Sequence, residues 1–370
     1  MYKNIKYLPV FLFLSFLIIH CQNPNEINNQ ETTKIALVNP GVGSFQGFKH
    51  LIENKIIDVP NPELIGVVYS KARNNIKNLK RFAEENKYPP IKIKVIEGDL
   101  NTDNLFLDNP CSKDFLNIFE STDGILFLGG DDISPSIYNQ KTSLMSNTNN
   151  PYRHYFELSL LFHLLGGKQD ENYQPFLENN PDYVVFGFCL GMQTMNVATG
   201  GSLYQDIPQD IYGLKYVEDV CSLDQNLHHR SYWRDLHPYN EEILWSNFHR
   251  IKFVENQSFT EKIGIGADEL PFVYSSHHQA AKDIGKGFEV IATTIDGKVV
   301  EAIAHTKYKN VLGVQFHPEV KALYHKNENK YKLTPDDSVM YCFNEMLENY
   351  ESLTFHKNYW KHFSQLFSDE

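Results

Sequence analysis

Positive charge is in short supply in this chain. Its 370 residues carry 34 Lys and Arg against 46 Asp and Glu, a formal net charge of −12. A nucleic-acid partner needs clustered positive charge to displace counterions from phosphates, so that class is excluded as a main function. Cysteine is also scarce: five residues are too few for a small fold stapled by disulfides. No period of about 20 to 50 residues repeats, which removes the solenoid architectures. Beyond the first 20 residues no stretch reaches about 18 uninterrupted apolar positions, so no later segment reads as a membrane-spanning helix. A phosphate-cradling GxxxxGK[ST] pattern is missing as well, and with it the usual sign of a built-in ATP-driven synthetase. What is present is an ordinary globular composition, 42% hydrophobic and 22% charged. That is enough apolar material for a sizeable core.

Residues 1–20 read as an export signal. Lys3 and Lys6 open the segment without an acid, and residues 8–19 are apolar. Twelve residues of helix span about 18 Å, short of the roughly 30 Å hydrocarbon core, so a permanent anchor helix is disfavoured. Cys21 follows at once, and residues 21–32 form an Asn-rich polar tether. This arrangement resembles a bacterial lipoprotein signal and implies lipidation of Cys21 after cleavage. Plain secretion to the periplasm or exterior is the alternative, because His20 stands where such signals carry a small residue.

From residue 33 onward strand-like and helix-like segments alternate, which gives an α/β fold. Residues 34–38, 64–70, 91–96, 124–128 and 183–188 are short apolar runs rich in branched side chains. Between them, residues 47–54, 71–86 and 113–121 repeat apolar positions every three or four, as helices do. Strand, helix, strand in that order makes a mostly parallel sheet covered by helices on both faces. Later strands are expected at 250–254, 272–275, 288–294, 299–305 and 311–316. Asp296-Gly297 supplies a hairpin turn, so the sheet should gain an antiparallel part. No linker-like stretch divides residues 33–370, which we read as a single domain.

Chemistry in such sheets gathers at the carboxyl ends of the strands. The run 183–188 leads straight into Cys189, flanked by Gly187 and Gly191, with a helix-like segment at 192–198. A nucleophile on a strand-to-helix turn is held in a strained backbone, and the glycines make room for it. At a helix N-terminus the partial positive charge favours thiolate. A buried structural cysteine would need neither glycine. The strand at 311–316 ends in His317-Pro318-Glu319, placing an imidazole to act as proton carrier and a carboxylate two residues on to orient it. A third strand ends in Gly129-Gly130-Asp131-Asp132. Backbone N–H groups at Gly130, and at Leu190 after the nucleophile, suit an oxyanion hole.

Gly187-Phe188-Cys189-Leu190-Gly191-Met192-Gln193 together with Gly313-Val314-Gln315-Phe316-His317-Pro318-Glu319 resembles the class I glutamine amidotransferase superfamily. The loop from Gly129 to Tyr138, residues 196–206, and Ser276-His277-His278-Gln279 resemble its gamma-glutamyl hydrolase branch, which includes gamma-glutamyl-gamma-aminobutyrate and folylpolyglutamate-type hydrolases. The resemblance covers residues 33–320 and implies a class I glutamine amidotransferase-like three-layer sandwich. It implies a triad of Cys189, His317 and Glu319, an oxyanion hole at Gly130 and Leu190, and a glutamyl pocket lined by Gln193, Ser276, His277 and His278. Tyr274 and Arg153-His154 depart from the branch's usual Asn and Arg-Asp, which bears on substrate choice. The implied activity is a cysteine hydrolase that cleaves gamma-glutamyl amides through a thioester. It takes a small gamma-glutamyl substrate, needs no metal or organic cofactor, and meets the membrane only through the lipid on Cys21. A glutaminase subunit feeding ammonia to a synthetase, and a non-catalytic gamma-glutamyl-binding lipoprotein, remain as alternatives. Beyond Glu319 we expect a closing helix.

Other features receive plainer readings. His228, His229 and His237 with Asp224 and Asp235 have a spacing that permits zinc, but surface or pocket-rim histidines are the expectation. Cys111, Cys221 and Cys342 allow at most one disulfide. Tyr232, Trp233, Tyr239 and Trp245 are expected in the core, with a cleft wall as the alternative. The five basic residues in 71–81 read as a solvated helix face.

Overall fold

The computed structural model describes residues 31–254, 258–266 and 268–368. The expected export signal, most of the tether and Cys21 lie outside them. The chain runs β1 (Lys34–Val38), α1 (Val42–Glu53), β2 (Glu63–Tyr69), α2 (Ile76–Glu85), β3 (Ile91–Ile96), α3 (Ser112–Ser121), β4 (Gly124–Phe127), α4 (Pro151–Leu165), β5 (Val184–Phe188) and α5 (Leu190–Ala198). A short strand β6 (Leu203–Tyr204) and three one-turn helices follow: α6 (Ile207–Asp210), α7 (Val217–Cys221) and α8 (Trp233–Leu236). Then come β7 (Asn247–Phe253), α9 (Ser258–Ile263), β8 (Phe272–Ser275), β9 (Ala280–Ala281), β10 (Phe288–Thr294), β11 (Val300–His305), β12 (Val311–Val314), α10 (Phe343–Asn349) and α11 (Leu353–Gln365).

Ten strands form one sheet in the order β3-β2-β1-β4-β5-β12-β11-β10-β7-β8. The six from β3 to β12 are parallel. The remaining four add in antiparallel fashion, with the hairpin at Asp296-Gly297 joining β10 to β11. Alternation along β1 sorts its side chains onto two cores, since successive residues of a strand point to opposite faces. Ile35 and Leu37 pack with Phe45, Phe48 and Leu51 of α1 and with Trp360 and Phe363 of α11. Ala36 and Val38 pack with Phe115, Phe156, Leu160 and Met192 of α3, α4 and α5. The expected sheet with helices on both faces is therefore what the chain forms.

Differences from the sequence reading have local causes. α2 starts at Ile76 rather than 71, because Asn75 caps it by accepting from the Asn78 N–H at 3.0 Å. α4 shows no amphipathic period because ten of its last eleven positions, Phe156 to Leu165, are buried. α11 is the expected closing helix, and its buried Trp360 meets Phe48 edge-on at 6.1 Å. Cys111, Cys189, Cys221 and Cys342 are all free and buried, so no disulfide forms among them. Tyr232 is in the core, whereas Tyr239 and Trp245 are 96% and 59% exposed, against expectation. No helix of the described residues is long and apolar enough to cross a membrane.

Candidate active site

Strand order builds the site. β4, β5 and β12 are neighbours and all point the same way, with Phe127 opposite Gly187 and Val314 opposite Phe188. The residues that leave the carboxyl ends of β4 and β12 therefore flank those that leave β5, each one strand spacing of about 4.8 Å away from it. Those residues are Gly129-Gly130, Cys189 and His317.

Cys189 is the N-cap of α5 and adopts φ 52°, ψ −107°, a left-handed backbone that a cysteine rarely takes. Its N–H donates to the Val314 carbonyl at 2.8 Å, locking the bend to β12. The flanking glycines are required by close approach. A Cβ on Gly187 would lie 2.6 Å from the Gly191 carbonyl carbon, and one on Gly191 would lie 2.2 Å from the Phe127 oxygen.

The His317 N–H donates to the Tyr274 carbonyl at 3.0 Å, and its Nδ1 lies 2.8 Å from Glu319 Oε1. An ionised carboxylate only accepts, so Nδ1 carries the proton. Burial disfavours a charged ring, yet Glu319 and Cys189, acting through charge and hydrogen bonds, hold the His317 pKa well above its ordinary value. Cys189, His317 and Glu319 thus form one connected group.

Gly130 and Leu190 are adjacent: a Cβ on Gly130 would lie 2.9 Å from Leu190 Cδ2. Leu190 is the first residue of α5, where helix geometry leaves the N–H without an intrahelical acceptor. Arg153 holds the opposite side of this loop. It donates from Nη2 to the Leu128 and Gly129 carbonyls at 3.2 and 2.9 Å, and from Nε to Glu157 at 2.7 Å. Asn39, at the end of β1, donates to the same carboxylate oxygen at 3.1 Å. This brace was not foreseen; the i, i+4 pairing of Arg153 with Glu157 was its only trace in the sequence.

Residues expected to line a glutamyl pocket are more dispersed. Ser276 is half-buried on the loop after β8. Gln193 is buried, and its Nε2 donates to Gln279 O at 3.1 Å and Gln315 Oε1 at 3.2 Å, so its amide N–H groups bind the protein's own loops. His277 points inward and is buried. His278 spans Asp206 (3.3 Å) and Asp132 (3.1 Å). Burial works against its charge, but the two carboxylates lift its pKa to about 9 and keep it an imidazolium. It ties the Gly129–Asp132 loop to the loop after β8. A cavity of about 390 Å³ opens instead on the α1 side of the triad, between Ser44, Gly47, Leu128, Gly129, His317 and Lys321.

The tail beyond Glu319 also reaches the site. Trp360 Nε1 and Tyr324 Oη both donate to the Pro318 carbonyl, at 3.1 and 2.6 Å. A closing helix was expected there, but not this grip on the His-Pro-Glu turn. The zinc-spaced loop divides: His237 is exposed, His228 Nε2 donates to Val220 O at 2.8 Å, and His229 is buried among residues from other segments. The surface reading fails for His228 and His229.

The sequence pattern of the Peptidase C26 family matches residues 64–319. The chain belongs to the peptidase C26 family. This peptidase C26 chain is 32% identical to the glutamine amidotransferase-like protein YvdE of Lactococcus lactis over 208 residues, 56% of this chain and 70% of YvdE. It is 31% identical to the glutamine amidotransferase-like protein RP404 of Rickettsia prowazekii over 231 residues, 57% of this chain and 75% of that one. It is 29% identical to the gamma-glutamyl-gamma-aminobutyrate hydrolase PuuD of Escherichia coli over 140 residues, 36% of this chain and 45% of PuuD.

Proposed function

We propose that this peptidase C26 protein is a cysteine hydrolase that cleaves gamma-glutamyl amides through a gamma-glutamyl thioester on Cys189. The observation that carries the reading is the junction of β5 and β12, where a positive-φ cysteine meets an imidazole already oriented by a carboxylate. Relatives named as glutamine amidotransferase-like and as gamma-glutamyl-gamma-aminobutyrate hydrolase support the same bond class.

In this mechanism Sγ of Cys189 attacks the side-chain carbonyl carbon of the glutamyl group. The carbonyl electrons move to oxygen, and the Gly130 and Leu190 N–H groups stabilise that charge. The intermediate collapses as the C–N bond breaks, and the nitrogen takes the Nε2 proton of His317, leaving as an amine. Water then gives a proton back to Nε2 and attacks the thioester, releasing glutamate and the cysteine sulfur. Glu319 accepts from Nδ1–H throughout, which keeps Nε2 aimed at the sulfur.

Mass spectrometry tests this directly. A gamma-glutamyl anilide should acylate Cys189 and release glutamate, and a panel of gamma-glutamyl amides including glutamine should reveal the preferred leaving amine. Release of glutamate without a Cys189 adduct, even under rapid quench, would overturn the thioester route. For the N-terminal segment we keep the export reading, with Cys21 as the lipid site. Loss of fatty-acid labelling in Cys21→Ser, and retention of label in Cys189→Ser, is the expected result.

A further inference from the structure

Beside the site, four side chains from four separate segments meet without solvent. They are His229 from the segment before α8, His249 of β7, His277 from the loop after β8 and Glu301 of β11, and none is more than 5% exposed. Glu301 Oε1 lies 3.3 Å from His229 Nδ1, 3.2 Å from His249 Nε2 and 3.9 Å from His277 Nε2. The His229 ring centroid is 4.8 Å from those of both His249 and His277. Despite this crowding, both Glu301 oxygens, both ring nitrogens of His229 and of His249, and His277 Nε2 have no hydrogen-bond partner among the described residues. Buried polar atoms are nearly always satisfied, so a concentration of seven orphans marks a missing binding partner.

The tautomer of His277 identifies what is missing. Its Nδ1 lies 2.8 Å from the Gln279 carbonyl, which only accepts, so Nδ1 holds the proton and Nε2 presents a lone pair. That lone pair faces a carboxylate, another acceptor. Two acceptors across a dry gap repel unless a cation stands between them. A backbone carbonyl that accepts the other ring N–H, as that of Gln279 does, is also the usual outer support of a metal-ligating histidine.

We propose that His229, His277 and Glu301 bind a divalent transition-metal ion of the zinc class. Their ligand atoms all lie within 4.8 Å of one another. Tetrahedral zinc with bonds of about 2 Å sets its donors about 3.3 Å apart, so the ion draws His277 slightly inward. Two imidazoles and one carboxylate select zinc and its neighbours over calcium or magnesium, which prefer all-oxygen cages. His249 serves as a positioning residue, its ring Nε2 packed 3.2 Å from Glu301 Oε1. The ion would pin the loop after β8 to β11, whose Glu301 carbonyl accepts from the Gln315 N–H at 2.8 Å, two residues before His317. This inference does not rest on the catalytic reading.

The test uses the full-length Cys189→Ala protein, so that the site thiol cannot compete for metal. We expect about one zinc or cobalt per chain by elemental analysis after dialysis against a weak chelator. Cobalt should give visible bands of a tetrahedral N/O site, and the melting temperature should rise by several degrees with added Zn²⁺. Glu301→Gln should weaken binding by at least about 100-fold, and His249→Gln by about 10- to 100-fold. Should those variants misfold, X-ray absorption at the metal edge of Cys189→Ala decides alone: two imidazoles with oxygen ligands support the site, and sulfur ligation or none overturns it. Folded Cys189→Ala that holds no metal, and whose melting temperature ignores Zn²⁺, Co²⁺ and Ni²⁺, also overturns it. So does undiminished binding in folded Glu301→Gln.

Discussion

Two histidine–carboxylate groups lie close together in this protein and differ in every physical respect. The His317–Glu319 pair comes from one turn, opens on a cavity, and is tied to a sulfur on the neighbouring strand. The His229–His249–His277–Glu301 group is drawn from four segments, is sealed from solvent, and leaves seven of its eight polar side-chain atoms without hydrogen bonds. In the proposed chemistry the first moves protons while the fold stands still. Under the proposed metal assignment, the fold around the second depends on the ion that it holds. Substitution in the first should therefore remove chemistry and spare stability, and disturbance of the buried groups should do the reverse.

The sharpest break of that contrast is Cys189→Ala. We expect kcat/KM on a gamma-glutamyl anilide to fall at least about 10⁴-fold, with a melting temperature within a few degrees of the parent by calorimetry. A folded variant that keeps its activity would end the nucleophile assignment. Glu319→Gln comes next: an amide cannot hold the same tautomer of His317, and kcat should drop about 10²- to 10⁴-fold with KM little changed. Arg153→Ala crosses between the two classes. It leaves Glu157 buried with only Asn39 to answer it, so stability should fall by about 3–5 kcal/mol in urea titrations, with activity lost as the Gly129-Gly130 loop loosens.

Acid provides a gentler probe of the buried class. Burial, with Arg153 as the next cause, lowers the His154 pKa to about 3, and burial lowers that of His356 to about 4. The unfolded chain binds those protons near pH 6.5 and the folded chain does not. The contribution of these two histidines is therefore full above pH 6.5 and declines as pH falls from there toward 4. The melting temperature should drop by several degrees across that window and recover in His356→Gln if the variant packs well; a flat profile would contradict the sign. The smallest effect is expected from Trp360→Phe, which keeps most of the packing but removes the N–H bond to the Pro318 carbonyl. About 1 kcal/mol of stability and a severalfold loss of kcat should follow, and an unchanged kcat would detach α11 from the site.

What could be read in advance was whatever sits close together along the chain. Gly187, Cys189 and Gly191 describe one bend, and His317 and Glu319 one turn, so their residue types and spacing already state the geometry. Gln193 was read from the same stretch and yet binds the protein's own loops, because its partners Gln279 and Gln315 arrive on the loop before β9 and just after β12. α4 was invisible to periodicity because it is buried almost all round. His229 looked like a surface histidine until β7, β8 and β11 closed over it.

The sequence alone determined the alternation of strands and helices, the bend at Cys189 and the His-Pro-Glu turn, since each follows from local sterics and short-range hydrophobic pattern. Only the tertiary structure decided that β5 and β12 lie side by side, that Arg153 grips the Gly129 loop, that Trp360 holds Pro318, and that three histidines surround Glu301. Those relations depend on sheet order and on which side chains lose water together, and neither is encoded at any fixed spacing along the chain.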